Sequence, residues 1–225
     1  MMRALIIAGG APISSALLNR LIQMCDMVIC ADSGAELARK EGVNPQFIIG
    51  DLDSISDDTL EFYQENDDTA IIRVPEQETT DLEKAVNLAL SNNAGEIIIT
   101  AAGGSRTDHY LYTIGLLHKF RGRAKMMIID DFDCIELRCE SFELNCNIGD
   151  RNSLIPWNGK VFNVITEGLQ YPLENEDLIP GERESISNRA VSVRISVVFD
   201  EGELLLIRES SSVLRNSGFR LWAIG

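Results

Sequence analysis

Short runs of aliphatic and β-branched residues alternate with helical spacings over the first two thirds of the chain. The runs Ala4 to Ala8, Met27 to Ala31, Phe47 to Ile49, Ala70 to Val74, Ile97 to Ala101 and Met126 to Ile129 predict strands, because continuous apolar stretches of this length suit strands buried on both faces. Between them, Leu17, Leu18, Leu21 and Ile22, and later Leu82, Ala85, Val86 and Ala89, repeat at the i, i+3, i+4 spacing of one buried helix face. Strand and helix in alternation predict right-handed βαβ units, hence an open, mainly parallel sheet flanked by helices.

From about Asp133 the period changes to two. The runs Cys134 to Cys139, Ser153 to Ile155, Val161 to Thr166, Val191 to Phe199 and Glu203 to Ile207 are separated by Asn147-Ile148-Gly149-Asp150, Asn158-Gly159 and Asp200-Glu201-Gly202. This pattern predicts antiparallel strands joined by tight turns. The expected organisation is an α/β nucleotide-binding domain over residues 1–148 and a small antiparallel β-sandwich over 149–225. No Gly-, Ser- or Pro-rich linker divides them, and no internal repeat is visible.

Composition narrows the function classes. The 225 residues are 45% hydrophobic and 24% charged, with 17 Gly and 6 Pro, which is ordinary globular usage and excludes low-complexity or collagen-like chains. Net charge is −15, of which −12 falls within residues 1–148, so the surface repels nucleic-acid phosphates and a polyphosphate ligand needs a cation. Cys25, Cys30, Cys134, Cys139 and Cys146 form an odd set without a C-x-x-C pair; they read as buried, reduced thiols rather than a disulfide framework or a zinc ribbon. The apolar start Met1 to Ala8 is too short for a signal peptide, and no run reaches membrane-spanning length. A cytoplasmic protein without a membrane partner is expected.

In an open parallel sheet, ligands bind beyond the carboxyl ends of the strands. The residues found there are Gly9-Gly10, Asp32-Ser33-Gly34, Gly50-Asp51-Leu52-Asp53-Ser54, Glu76-Gln77-Glu78-Thr79-Thr80-Asp81 and Gly103-Gly104-Ser105-Arg106-Thr107-Asp108-His109. One crevice would therefore gather glycines, carboxylates and an arginine. Gly9-Gly10 serves either as a close approach to an anion or as a plain strand-to-helix turn. In an extended loop Asp51 and Asp53 point to one side, with Leu52 inward, an arrangement suited to Mg²⁺; the structural alternative is that Asp53 or Ser54 caps a helix from about Ser56. Thr80 to Glu83 reads as a capping box, with Asp81 complementing the helix dipole. Arg106 can hold a phosphate bidentately, and Asp108 can start the helix running from His109 to Lys119. His109, His118 and the cysteines read as structural. In the second domain, Gly168 to Leu173 and Glu184 to Asn188 read as loops, and Tyr171 offers either a stacking face or an edge-packing ring.

Taken in order, Ala31-Asp32-Ser33-Gly34-Ala35, Ile49 to Ile55, Gln77 to Ala85, Ser105-Arg106-Thr107-Asp108-His109, Gly168-Leu169 and Ser185-Ile186-Ser187-Asn188 resemble the thiamine pyrophosphokinase family over nearly the whole chain. The resemblance implies a homodimer with shared active sites that moves pyrophosphate from ATP to the hydroxyethyl group of thiamine, giving thiamine diphosphate and AMP, with Mg²⁺ required. It implies metal and catalytic carboxylates at Asp51, Asp53 and Asp81, with Arg106 as the catalytic cation. Gln77 and Thr80 match substrate and phosphate contacts, and Arg106 and Asp108 match the nucleotide side, to which Gly9, Gly10 and Asp32 belong by position. Ser187 and Asn188, with Tyr171, match a thiamine-binding segment supplied by the partner subunit. The sequence departs from the family pattern at Ser33, Glu78 and Ser105, and at Tyr171, where tryptophan is frequent. Two other readings use parts of the same set: a diphosphokinase for another hydroxyalkyl heterocycle such as a hydroxymethylpterin, and a non-catalytic nucleotide-binding regulator.

Overall fold

A computed structural model describes residues 1–104 and 106–216. They form two compact units, one from Met1 to Asp131 and one from Phe132 onward. In the first, β1 (Met2–Ile7), α1 (Ser15–Gln23), β2 (Met27–Ala31), α2 (Gly34–Lys40), β3 (Phe47–Gly50), α3 (Asp57–Gln64), β4 (Ala70–Arg73), α4 (Asp81–Ser91), β5 (Ala94–Thr100), α5 (Thr107–Lys119) and β6 (Lys125–Ile129) follow one another. The strands pair in the order β4-β3-β2-β1-β5-β6, all parallel. Ile6 lies between Ile29 and Ile99, and Ala4 to Ile7, Ile29, Cys30 and Ile97 to Ile99 are fully buried. Continuous apolar runs are what a sheet covered on both faces demands. The order reverses between β1 and β5, so the topological switch point lies at their carboxyl ends.

Hydroxyl side chains start three of these helices by accepting an N–H that the helix leaves unpaired. Ser14 receives Leu17 N, Ser56 receives Thr59 N and Thr80 receives Glu83 N, each at 3.3 Å. The cap of α3 is thus Ser56, and neither Asp53 nor Ser54 performs that task. The box expected at Thr80 forms by halves: the Glu83 carboxylate turns away from the cap to Tyr112 and Lys119 of α5. Helix α5 begins at Thr107, with Arg106 as its N-cap residue, so Asp108 sits within the first turn rather than before it.

The second unit holds β7 (Asp133–Arg138), β8 (Phe142–Asn145), β9 (Arg151–Glu167), β10 (Glu174–Leu178), β11 (Ser185–Arg189), β12 (Arg194–Val198), β13 (Glu201–Glu209) and α6 (Ser210–Asn216). All its strand pairs are antiparallel. The N-terminal half of β9 pairs with β11 and its C-terminal half with β10 and β12, and Phe142, Leu154, Val164, Ile195, Val197 and Leu206 meet in one apolar core. This is the expected sandwich, with three corrections. The unit starts at Phe132 and not near residue 148, because β7 and β8 pair with β13 and β12. Asn158-Gly159 makes no hairpin: both have positive φ (59° and 135°), but the 17-residue β9 runs through them. They bend it opposite the register shift between Glu201 and Glu203, the work of a bulge. Of Glu184 to Asn188, expected as loop, Ser185 onward belongs to β11; its polar side chains hid a strand that pairs with β9.

Among the described residues no helix is long and apolar enough to cross a membrane. Burial raises the Cys25 thiol to about 12 and pushes Cys30 up as well, so both pack as neutral side chains. Cys139 departs from the expectation of burial and is exposed. Trp222 and Ser105 lie outside the described residues.

Candidate active site

The loops after β1 to β5 line one crevice of about 740 Å³ in the first unit. Gly9, Gly10, Asp32, Asp51, Gln77, Thr80, Asp81 and Arg106 all face it. Its floor is tight at the switch point. A Cβ on Gly10 would come 2.3 Å from Gly103 O, and one on Gly34 would come 2.1 Å from Ile7 O. Gly10 N donates to Ala101 O at 2.7 Å, and Ala11 N to Gly103 O at 2.6 Å. The glycine at position 10 therefore joins the β1 and β5 loops, and its N–H is spent there rather than offered to an anion.

Three non-glycine residues at these strand ends have left-handed backbone: Asp32 (φ 45°), Leu52 (φ 67°) and Ala101 (φ 53°). Such conformations cost about 1–3 kcal/mol each and collect where geometry serves a site. Leu52 corrects the extended loop expected between the two aspartates. The chain instead turns there, half-exposing Leu52, and Asp53 N donates to Asp51 Oδ1 at 3.2 Å. The turn keeps the carboxylates together, and Asp32 joins them: one carboxylate oxygen from each of Asp32, Asp51 and Asp53 lies within 4.8 Å of the others.

The three acids sit in different surroundings. Asp32 is buried, and its Oδ1 has no hydrogen-bond partner. Burial, reinforced by the charges of Asp81 and Asp51, holds its carboxyl above the ordinary aspartate value against hydrogen bonds from Ser33 and Ser54. Asp51 accepts Gln77 Nε2 at 2.8 Å, and that bond, with the Asp53 N–H, holds its carboxyl below the ordinary value. Asp53 is exposed and accepts Ser54 Oγ at 2.9 Å. A buried acceptor left unpaired is costly unless something positive meets it. Hard carboxylate oxygens around such an acceptor are a donor set that suits Mg²⁺.

Asp81 lies close enough for its charge to act on Asp32 but is not one of the three acids within 4.8 Å of one another. Its Oδ1 accepts Lys84 Nζ at 2.9 Å. The buried Lys84 ammonium also donates to Val74 O (3.0 Å) and Glu76 O (2.8 Å), so its three protons tie the β4–α4 loop to Asp81. The motif contains Lys84, but sequence reading assigned it nothing; the available signal was its i+3 spacing from Asp81. Tyr112 and Thr113, which line the crevice with His109, were missed too, although 106, 109 and 113 share one helix face. Arg106 and Asp108 form an exposed bidentate pair, Nε–Oδ1 3.0 Å and Nη2–Oδ2 2.6 Å. The pairing raises the arginine value and drives the aspartate well below its usual range.

In the second unit Tyr171 and Ser187 are exposed, Tyr171 to 67%. Asn188 differs. It is buried, accepts Tyr171 N (3.1 Å) and Arg189 N (3.0 Å), and donates to Tyr171 O (2.6 Å) and Ser185 Oγ (3.1 Å). Its side chain is occupied by the frame of the Tyr171 loop.

Comparison with known proteins places this arrangement. The family model "Thiamin pyrophosphokinase, catalytic domain" matches residues 18–129, and "Thiamin pyrophosphokinase, vitamin B1 binding domain" matches 143–204. The chain is 28% identical over 185 residues to thiamine pyrophosphokinase of Bacillus subtilis (81% of this chain, 86% of that one), and 28% identical over 205 residues to thiamine pyrophosphokinase 1 of Arabidopsis thaliana (80% and 76%). The crystal structure of the Bacillus subtilis protein superposes with a TM-score of 0.82 at 26% identity, covering 92% of this chain and 98% of that one. That of the Geobacillus thermodenitrificans protein superposes at 0.81 and 25%, covering 97% and 100%. With both family models matched in order, and Asp32, Asp51, Gln77, Asp81 and Arg106 of the crevice lying within the catalytic one, the chain belongs to the thiamine pyrophosphokinase family.

Proposed function

We propose that this chain catalyses the reaction its family is named for, moving pyrophosphate from ATP to the hydroxyethyl oxygen of thiamine and releasing AMP. It is an ATP-dependent diphosphotransferase. The thiamine oxygen bonds to the β-phosphorus, the bridge to the α-phosphate breaks, the α-phosphate keeps the bridging oxygen, and the hydroxyl proton passes to a carboxylate. The names of the relatives favour neither a pterin acceptor nor an inert regulator.

The observation that carries the reading is the unpaired, buried Oδ1 of Asp32 beside Asp51 and Asp53. These three residues would hold Mg²⁺, which when bound neutralises polyphosphate charge. The chain's own groups do the positioning. Gln77 fixes Asp51, Lys84 fixes Asp81 and the loop above it, and Arg106 presents a planar fork that can exchange Asp108 for a phosphate of the same geometry. Asp81 is the carboxylate we assign to the hydroxyl proton. On the thiamine side we assign Tyr171 as a π face for the cationic ring and Ser187 as a polar contact, with Asn188 holding their loop. The composite site is shared across a homodimer in the cytoplasm.

The test is incubation with Mg-ATP and thiamine, a hydroxymethylpterin, or no acceptor, with nucleotides resolved. AMP formed only with thiamine is the expected result. AMP formed with the pterin in preference, or none with thiamine, overturns the reading. Sharing is tested by mixing an Asp53→Asn chain with a Ser187→Ala/Tyr171→Ala chain after reversible dissociation: random pairing returns about a quarter of wild-type activity, and none returns if each site lies within one chain.

A further inference from the structure

Two of the three clustered aspartates, Asp51 and Asp53, ride on one loop, and the third, Asp32, precedes α2. Asp32 is fixed at its root: its N–H donates to Ile49 O at 2.9 Å, and its carbonyl accepts Ala35 N at 3.0 Å. The loop from Asp51 to Ile55 is anchored at one end by the pairing of Gly50 with Arg73. What fixes its other end is a side chain of α2. Glu36 Oε1 accepts Ser56 N at 2.7 Å, and Glu36 Oε2 accepts the Thr59 hydroxyl at 2.8 Å.

The Thr59 hydroxyl completes the contact. It is fully buried, gives its single proton to Glu36, and accepts Ser56 Oγ and Arg39 Nη1, both at 3.0 Å. All its hydrogen-bonding capacity is used. Arg39 is in turn seated on the Phe62 ring, 5.2 Å from the centroid. Neither Glu36 nor Thr59 lines the crevice, yet together they pin the far end of the aspartate loop to the helix that Asp32 precedes.

We propose that Glu36, acting through Ser56 and Thr59, is a positioning residue that sets the spacing of Asp32 against Asp51 and Asp53 and thereby the affinity of the site for a divalent cation. The proposal rests on the reading that these aspartates hold the cation. A carboxylate on a backbone N–H is a charge-assisted bond, stronger than a neutral one. Releasing it cuts the loop's tie to α2; Gln77 still holds Asp51 and Ser56 still caps α3, but the cation must then bear more of the cost of setting the loop against Asp32.

The test is direct Mn²⁺ binding to the full chain without nucleotide, followed by the electron-paramagnetic signal of free Mn²⁺, with Mg²⁺ as competitor and circular dichroism on each variant. Glu36→Ala is expected to weaken Mn²⁺ roughly tenfold, on the scale of one lost charge-assisted bond. Glu36→Gln is expected to stay within about threefold, because its carbonyl still accepts Ser56 N, the bond that holds the loop, and only the Thr59 contact is lost. Wild-type Mn²⁺ affinity in folded Glu36→Ala overturns the proposal, and so does an equal loss in the alanine and glutamine variants, which would mark charge rather than geometry. If Glu36→Ala does not fold, Thr59→Val decides: it keeps the carboxylate, removes the hydroxyl and is expected to weaken Mn²⁺ about threefold, and unchanged affinity refutes the brace. Asp51→Asn separates the two claims. Full Mn²⁺ binding in that variant defeats the cation reading itself, whereas loss there with retention in Glu36→Ala defeats only the brace.

Discussion

Asp32 in the first unit and Asn188 in the second are both buried polar residues in segments that resemble the family's motifs, yet they end in opposite states. Asn188 has four hydrogen bonds and belongs to the frame of its own loop. Asp32 keeps an unpaired oxygen, on a left-handed backbone, among other carboxylates. Burial and motif membership do not separate these two residues; hydrogen-bond satisfaction does. Removing Asn188 is therefore expected to cost stability, and removing Asp32 to cost function.

The sharpest way to break that contrast is kinetic. Asp51→Asn and Asp53→Asn should each lower kcat at least about a hundredfold with little change in thermal midpoint, since what is lost is stabilisation of the transition state. Near-normal turnover with a lowered midpoint would put these acids in the same class as Asn188. The complementary change is Asn188→Ala, which strands Tyr171 N and O and should cost about 2–4 kcal/mol in urea unfolding. Ser187→Ala, on the exposed neighbour, should stay within about 0.5 kcal/mol of wild type. Equal effects of the two substitutions would erase the distinction drawn between them.

A smaller effect is expected in binding. Calorimetry of ATP with and without EDTA should show affinity at least about tenfold weaker without divalent cation, because the acidic wall otherwise faces a polyanion. Equal affinities would mean that the carboxylates do not need a cation to admit nucleotide.

The smallest effect concerns Glu83, a buried acid that is paired and therefore belongs with Asn188. Burial alone would raise its carboxyl, but the bonds from Lys119 and Tyr112 outweigh it and hold it below the ordinary value. Since the folded value lies below the unfolded one, near 4.5, its stabilisation is present above that pH and is lost as pH falls through the folded value. Urea midpoints of wild type and Glu83→Gln should therefore differ at pH 7 and converge below about pH 4.5. Parallel pH curves would show that the pair contributes nothing to folding.

Much of this was legible in residue order. Continuous apolar runs gave β1 to β6 to within a few residues, and the rule that ligands gather at carboxyl ends pointed to the loops carrying Asp32, Asp51, Gln77, Asp81 and Arg106. Legibility fell in the second unit, where the polar segment Ser185 to Arg189 is a strand, with Ser187 N donating to Ser153 Oγ of β9, and Asn158-Gly159 bends a strand instead of ending it. Lys84 and Glu83 were obscure for a related reason. Glu83 reads as half of a capping box and Lys84 carries no reading, and only the neighbours supplied by the β4–α4 loop and α5 make them buried partners.

Sequence by itself determined the alternation of strand and helix, the acidic character of the strand-end loops and the family to which their motifs belong, because each depends on local period and residue type. Tertiary structure decided which aspartates meet. Asp32 and Asp51 are far apart in the chain and become neighbours only because β2 and β3 pair side by side, and the Leu52 turn and the reach of Glu36 to Ser56 then fix the distance between their loops. Carboxylates converge through the pairing of backbone elsewhere in the sheet, and no local pattern around any one of them carries that information.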